Sequence, residues 1–303
     1  MRYILIPLLF VISINLNGQT ADSVGRIYIS HDQGTSWSRS DVGFPNEDVV
    51  NTWIIKDNQI FAGTDSHGVM ISSDEGKSWS KSRKGLPHSA RVTTLLANNE
   101  AIFAGTFQHG VFKSLDNGSS WQQFNSGINN LTIRKFHDNG IDIYAGTNDG
   151  VYVLSKANDK WIKIGGDYQV NDFASDHEFI YVATHLGVFR TPDGGSNWQK
   201  VYRNGAAFKI AIEAHQICLL DYSGNVQYAN TKQLVWFKDE TYMPVRHSYR
   251  LTPTSQKILI PATGIHNILL TTPANGLPAN APFNNLLQTP FGVFASSVTM
   301  KGC

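Results

Sequence analysis

The chain has 303 residues, enough for one large domain or two small ones. Its 25 Lys and Arg balance 24 Asp and Glu, so no net field favours nucleic acid or an anionic membrane as partner. Aromatic residues at 11% and 26 glycines suit a β-rich protein with many tight turns.

The chain opens with Arg2 and the apolar run Ile4 to Ile14, then a polar exit, Asn15 to Ala21. The run is too short to span a bilayer, and Pro7 argues against a buried strand, so residues 1–19 read as a signal peptide. No second long apolar segment follows. The expected product is secreted or periplasmic, with no stable membrane span. Of the two cysteines, Cys218 sits in "QICLLD" where other repeats carry Phe or Tyr, which predicts a buried thiol; Cys303 is terminal. Neither has metal-type spacing, and nothing points to a metal or another cofactor.

From Gly25 onward the elements repeat. A first fragment, Gly25 to Val42, holds "GRIYISHDQGTSW" and supplies two strands. Six fuller units begin near Val49, Ala90, Leu131, Val170, Ala207 and Val245. In the first, "VVNTWIIKD" turns into "QIFAGT", the loop "DSHG" leads to "VMISS", and the turn "DEGKS" leads to "WSKSR". That is four short strands joined as hairpins. Three registers keep the period: the tryptophans 37, 79, 121, 161, 198 and 236; the small-residue strand "IFAGT", "IYAGT" or "IYVAT"; and the glycine opening the next strand at 68, 110, 150, 187, 224 and 264. Four-stranded units of about 40 residues predict β-propeller blades. The C-terminal "NNLLQTPFGVFASSV" places Val293 in the "IFAGT" slot. The expectation is an all-β, seven-bladed β-propeller of four-stranded antiparallel blades over residues 20–303. Its seventh blade takes two strands from each end of the chain, leaving no open edge.

The third-to-fourth-strand turns fit S-x-D-x-G-x-[S/T]-W: "SHDQGTSW" from Ser30, "SSDEGKSW" from Ser72 and "SLDNGSSW" from Ser114. "TPDGGSNW" from Thr191 departs at two positions. In this the chain resembles Asp-box (BNR, sialidase-like) repeat propellers. Its style is nearer to sortilin-type and photosystem II assembly-factor-like repeat proteins than to true sialidases. A short acid two residues before a glycine can accept the turn's own N–H groups. Asp32, Asp74, Asp116 and Asp193 are therefore expected to brace turns, and Trp37, Trp79, Trp121 and Trp198 to wedge between hairpins. The acid is missing from later units, where Ala157, Thr231 and Ala274 stand in or near its slot.

A binding site is expected on the opposite face, at the mouth of the channel. Candidates there are His67, Phe107, His109, Asp149, His185 and Tyr222 from second-to-third-strand loops, with Arg246 and Arg250 from a link between units. Histidines on separate blades are not expected to share a metal. Trp53 and Phe136 are read as core. The enzyme alternative is a sialidase-like or other glycoside hydrolase with a divergent site. The resemblance then implies an arginine triad, a Tyr–Glu pair, an acid Asp and an F/Y-R-I-P motif. "GRIYIS" lacks the aromatic and the Pro, and the glutamates are few. Short loops favour a non-catalytic scaffold with a protein or carbohydrate partner.

Overall fold

The protein is described by a computed structural model covering residues 25–32, 36–155, 157, 159–213, 215–238, 249–250, 258–261, 265–268 and 282–297. The leader, Arg246 and Cys303 lie outside these residues. Among the described residues all regular structure is β. The chain begins with β1 (Ile27–Ser30) and β2 (Ser38–Arg39). The first four-stranded sheet follows, from β3 (Val50–Lys56), β4 (Gln59–Thr64), β5 (Val69–Ser72) and β6 (Ser80–Ser82). The second holds β7 (Val92–Ala97), β8 (Ile102–Thr106), β9 (Gly110–Ser114) and β10 (Gln122–Gln123). The third holds β11 (Ile133–Asp138), β12 (Ile143–Thr147), β13 (Gly150–Ser155) and β14 (Lys160–Lys163). In the fourth are β15 (Val170–Ser175), β16 (Ile180–Thr184), β17 (Gly187–Thr191) and β18 (Gln199–Tyr202). The fifth contains β19 (Ala207–Glu213), β20 (Gln216–Asp221), β21 (Val226–Asn230) and β22 (Trp236–Lys238). Then come β23 (Tyr249–Arg250), β24 (Ile258–Pro261), β25 (Ile265–Ile268), β26 (Pro282–Thr289) and β27 (Gly292–Ser297).

Within each four-stranded sheet every pairing is an antiparallel hairpin. The second strands β8, β12 and β16 are buried at every position, which is why they read as unbroken apolar or small-residue runs. Fourth strands are short and polar at the rim: Ser38–Arg39 and Gln122–Gln123 are exposed, as suits an edge. The glycine of "AGT" is packing. A Cβ on Gly63 would lie 2.6 Å from Thr52 Cγ2 and from Val92 Cγ1; on Gly105 it would lie 2.6 Å from Ile133 Cγ2. Each glycine seats a β-branched residue of the next sheet's first strand.

The tryptophans bind sheet to sheet. Nε1 donates to the Ser40 carbonyl from Trp79 (2.6 Å), to Ser82 Oγ from Trp121 (3.0 Å) and to the Phe124 carbonyl from Trp161 (3.0 Å). Trp198 and Trp236 donate to Ile164 and Val201 carbonyls, both at 2.8 Å. Every acceptor is 34 to 39 residues upstream, in the preceding repeat. Phe136 stacks on Trp161 with centroids 6.2 Å apart, and Trp53 packs between Trp79 and Phe294, so both serve the core. Cys218 is a buried thiol.

The two ends of the chain meet in one sheet, ordered β2-β1-β27-β26-β23. Ile27 faces Ser296, Tyr28 faces Ala295, Ile29 faces Phe294 and Ser30 faces Val293. Ser297 N donates to the Arg26 carbonyl at 2.9 Å, and Arg26 N to Ser297 Oγ at 2.9 Å. One expectation needs correction. Tyr249–Arg250, expected in a link between units just after the start of the sixth near Val245, forms a short strand that pairs with Phe283 and Pro282 of β26, since an edge strand offers unpaired backbone groups. Among the described residues the next two strands, β24 and β25, pair only with each other.

A candidate binding face at the channel mouth

Successive strands alternate in direction, so the turns of each sheet fall at two ends. The Asp turns occupy one. Asp116 Oδ1 accepts Ser114 Oγ and Ser120 N, both at 2.8 Å, while Oδ2 accepts Ser120 Oγ at 2.6 Å; Ser114 Oγ in turn accepts Gly118 N at 2.8 Å. Asp74 repeats the pattern, and Asp32 makes the three carboxylate contacts. Around Asp193, Thr191 and Asn197 replace the two serines without loss of a bond. The departures of "TPDGGSNW" are therefore chemically silent. The hydrogen bonds from Ser120 hold the Asp116 carboxyl down to about 2, and those from Asn197 do the same for Asp193, also to about 2. Where Thr231 fills the acid's slot, Asn230 Oδ1 caps the turn instead, accepting Lys232 N at 2.9 Å.

The other end carries the second-to-third-strand loops and the links between sheets. Its polar groups are committed locally. His67 Nδ1 donates to the buried Asp48 carboxylate at 2.8 Å, which also accepts Ser66 N at 3.0 Å. Asp65 pairs with Arg91 at 2.7 Å, and the Arg91 guanidinium lies over the Phe107 ring, 5.7 Å from its centroid. Asp149 accepts Thr147 Oγ1 at 2.6 Å and faces Lys163 at 3.8 Å. Asp221 caps its own loop through Ser223 N and Asn225 N at 2.8 and 2.9 Å. His109 is exposed. Arg250 is placed by its strand pairing.

His185 and Tyr222 do come together, through a group the sequence did not single out. Gln169 N donates to His185 Nδ1 at 3.0 Å, and Gln169 Nε2 to Tyr222 OH at 3.3 Å. The buried Asn171 Oδ1 is the hub: it accepts Gln169 Nε2 at 2.8 Å, Arg134 Nη2 at 3.1 Å and Tyr222 OH at 3.2 Å. Burial lowers the Arg134 guanidinium's pKa, though Tyr222 opposes this.

Arg134 and Asn171 occupy a recurring slot, the bulged residue one step into a first strand. The register skips Asn51, Thr93, Arg134, Asn171 and Phe208 in turn. Four of these clasp the next sheet just ahead of its own bulge. Asn51 Nδ2 donates to Val92 O (3.0 Å), Thr93 Oγ1 to Ile133 O (2.5 Å), Arg134 Nε to Val170 O (2.7 Å) and Asn171 Nδ2 to Ala207 O (2.7 Å). A run of side-chain clasps thus lines the mouth. The signal lay in the first strands, where a polar or bulky residue follows an apolar one near each start.

Side-by-side four-stranded sheets with neighbouring first strands also occur in solved proteins. An extracellular domain from B. thetaiotaomicron matches at TM-score 0.61 and 16% identity, over 98% of this chain and 40% of that one. YCF48, solved bound to D1 peptide, matches at TM-score 0.60 and 14% identity, over 91% and 88%. An ancestral GH74 enzyme matches at TM-score 0.56 and 17% identity, over 74% and 34%. This chain is a β-propeller. At these identities the likeness is one of fold. The propeller spans about 40% of the length of the B. thetaiotaomicron domain. No family model and no curated protein matches it.

On the mouth of this propeller Phe107, Leu131, Leu186 and Tyr222 are between 38% and 44% exposed, which leaves apolar surface among the committed polar groups. Glu75, Glu100, Glu178 and Glu213 belong to the opposite end, in or beside the turns there.

Proposed function

We propose that the protein is an exported, non-catalytic Asp-box propeller of seven blades, residues 20–303 after removal of a signal peptide at 1–19. It binds a protein or glycan through the channel-mouth face. The sixth blade is built around β24 and β25, and the seventh joins both chain ends. One observation carries the binding reading: Asp48, Asp65, Asp149 and Asp221 each hold a partner within or beside their own loop. Most glycoside hydrolases set two free carboxylates about one bond; tied carboxylates between exposed aromatics suit recognition. His67, Phe107, His109, Asp149, His185, Tyr222, Arg246 and Arg250 make up the proposed face. That YCF48 was solved with a peptide is compatible with this use of the fold.

Glycan and peptide arrays probed with the full chain test it. Phe107→Ala and Tyr222→Ala should each weaken the best ligand about tenfold while preserving the circular dichroism spectrum. Turnover of fluorogenic sialosides or aryl glycosides, abolished by Arg246→Ala in a folded protein, would establish the hydrolase alternative instead.

A further inference from the structure

Among the described residues, the inner wall of the propeller carries two lysines beside a single aspartate. The residue after each bulge occupies one slot on successive first strands: Thr52, Thr94, Lys135, Asp172 and Lys209. In three of these the side chain accepts an N–H from the next sheet. Thr52 Oγ1 takes Leu95 N at 3.3 Å, Thr94 Oγ1 takes Phe136 N at 3.2 Å, and Asp172 Oδ2 takes Ile210 N at 3.2 Å. A lysine carries only donors and cannot do this. The two lysines therefore stand where the architecture is satisfied by threonine.

Lys135 Nζ lies 3.8 Å from Asp172 Oδ1. Among the described residues no carboxylate lies within 4 Å of Lys209 Nζ, which sits 5.5 Å from the Phe208 ring centroid. Arg134, on the same strand as Lys135, directs Nε and Nη2 to neutral oxygens of Val170 and Asn171. Among the described residues Lys135 is the one of these three cations in contact with the Asp172 carboxylate, whose other oxygen already holds a backbone N–H. Asp172 pulls the Lys209 ammonium's pKa up, yet burial with the neighbouring Lys135 and Arg134 leaves it below the ordinary lysine range. Lys209 retains partial exposure to solvent, so an entering group can reach it. Cations crowded into a poorly solvated wall repel one another and favour an anion. Farther along β11, His137 is engaged with Ser175 Oγ at 3.0 Å and stacks on Phe173.

We propose that Lys135, Lys209 and Arg134 form a binding site for an oxyanion, a carboxylate or a phosphate, that enters the channel from its mouth. The site is independent of which partner docks on the rim. Isothermal titration of the full chain with inorganic phosphate and with citrate, at constant ionic strength set by chloride, tests it. Saturable binding of either is expected; citrate alone marks a carboxylate site, phosphate alone a phosphate site. Lys135→Gln and Lys209→Gln should each weaken binding about tenfold. Asp172→Asn keeps an acceptor for Ile210 N and removes the competing charge, so it should tighten binding severalfold. That gain cannot arise from a damaged fold. Absence of saturable binding at millimolar concentrations overturns the proposal. So do equal affinities in folded lysine variants, or an Asp172→Asn affinity no higher than that of the parent.

Discussion

With its two oxygens Asp116 orders three donors of one turn: the Ser114 hydroxyl and the Ser120 amide and hydroxyl. Asp116→Ala removes those acceptors and should destabilise by about 1 kcal/mol, read as a lower urea midpoint. The pH dependence has a definite sign. The carboxyl is held to about 2 in the folded chain against an ordinary 3.8, so its contribution is complete above about pH 4 and lost as pH falls toward 2. Asp116→Asn should accordingly fall below the parent at pH 7 and approach it near pH 2. Trp161 makes the converse case. Its turn has lost the acid, yet the indole is 1% exposed and still reaches the preceding sheet. Trp161→Ala should cost about 3–5 kcal/mol, while Trp161→Phe should lose little beyond one hydrogen bond. The Asp and Trp roles were legible because both act within the motif or at a fixed repeat offset. The commitments of His67 and Asp65 were not, since a loop residue's partner is set by three-dimensional placement: Asp48 lies 19 residues before His67, and Arg91 lies on the link to the next sheet.

The hairpins of each sheet follow directly from hydrophobic runs and turn residues. What welds sheet to sheet was harder to read. The clasps from Asn51, Thr93, Arg134 and Asn171 reach carbonyls 36 to 41 residues away, and a bulge leaves no fixed residue type behind. Asn171 is the most connected, bonding the next sheet while holding Arg134, Gln169 and Tyr222. Asn171→Ala should destabilise by about 2 kcal/mol or more and loosen the Tyr222 ring, detectable as faster hydrogen exchange at Gln169 and Tyr222. A fourth register also went unread: Gly43, Gly85 and Gly127. Gly85 has φ +90°, and a Cβ there would overlap the Trp121 carbonyl oxygen. The neighbouring Lys84 carbonyl accepts Trp121 N at 2.8 Å. Gly85→Ala should destabilise by more than about 1 kcal/mol, again measured by urea unfolding. The glycines were visible at a 42-residue spacing, but only the position of the tryptophan backbone explains them.

At the level of the whole molecule, local hairpins settle most of the fold, and one long-range pairing joins its ends. That pairing was foreseeable because "VFASS" near the C-terminus fills the second-strand slot missing beside Ile27. The placement of Tyr249–Arg250 against β26 was not, because two residues carry too little pattern to fix a partner. Joining the ends makes stability depend on residues 263 or more positions apart, so removal of residues 282–303 should expose β1 and sharply lower the thermal midpoint. The most direct test replaces Tyr28 and Ala295, which face each other across β1 and β27, by cysteine in a Cys303→Ser background. Mild oxidation should yield an intramolecular disulfide, seen as one linked peptide pair from a monomeric protein. A folded protein in which those thiols stay reduced, or link only between molecules, would contradict the closure.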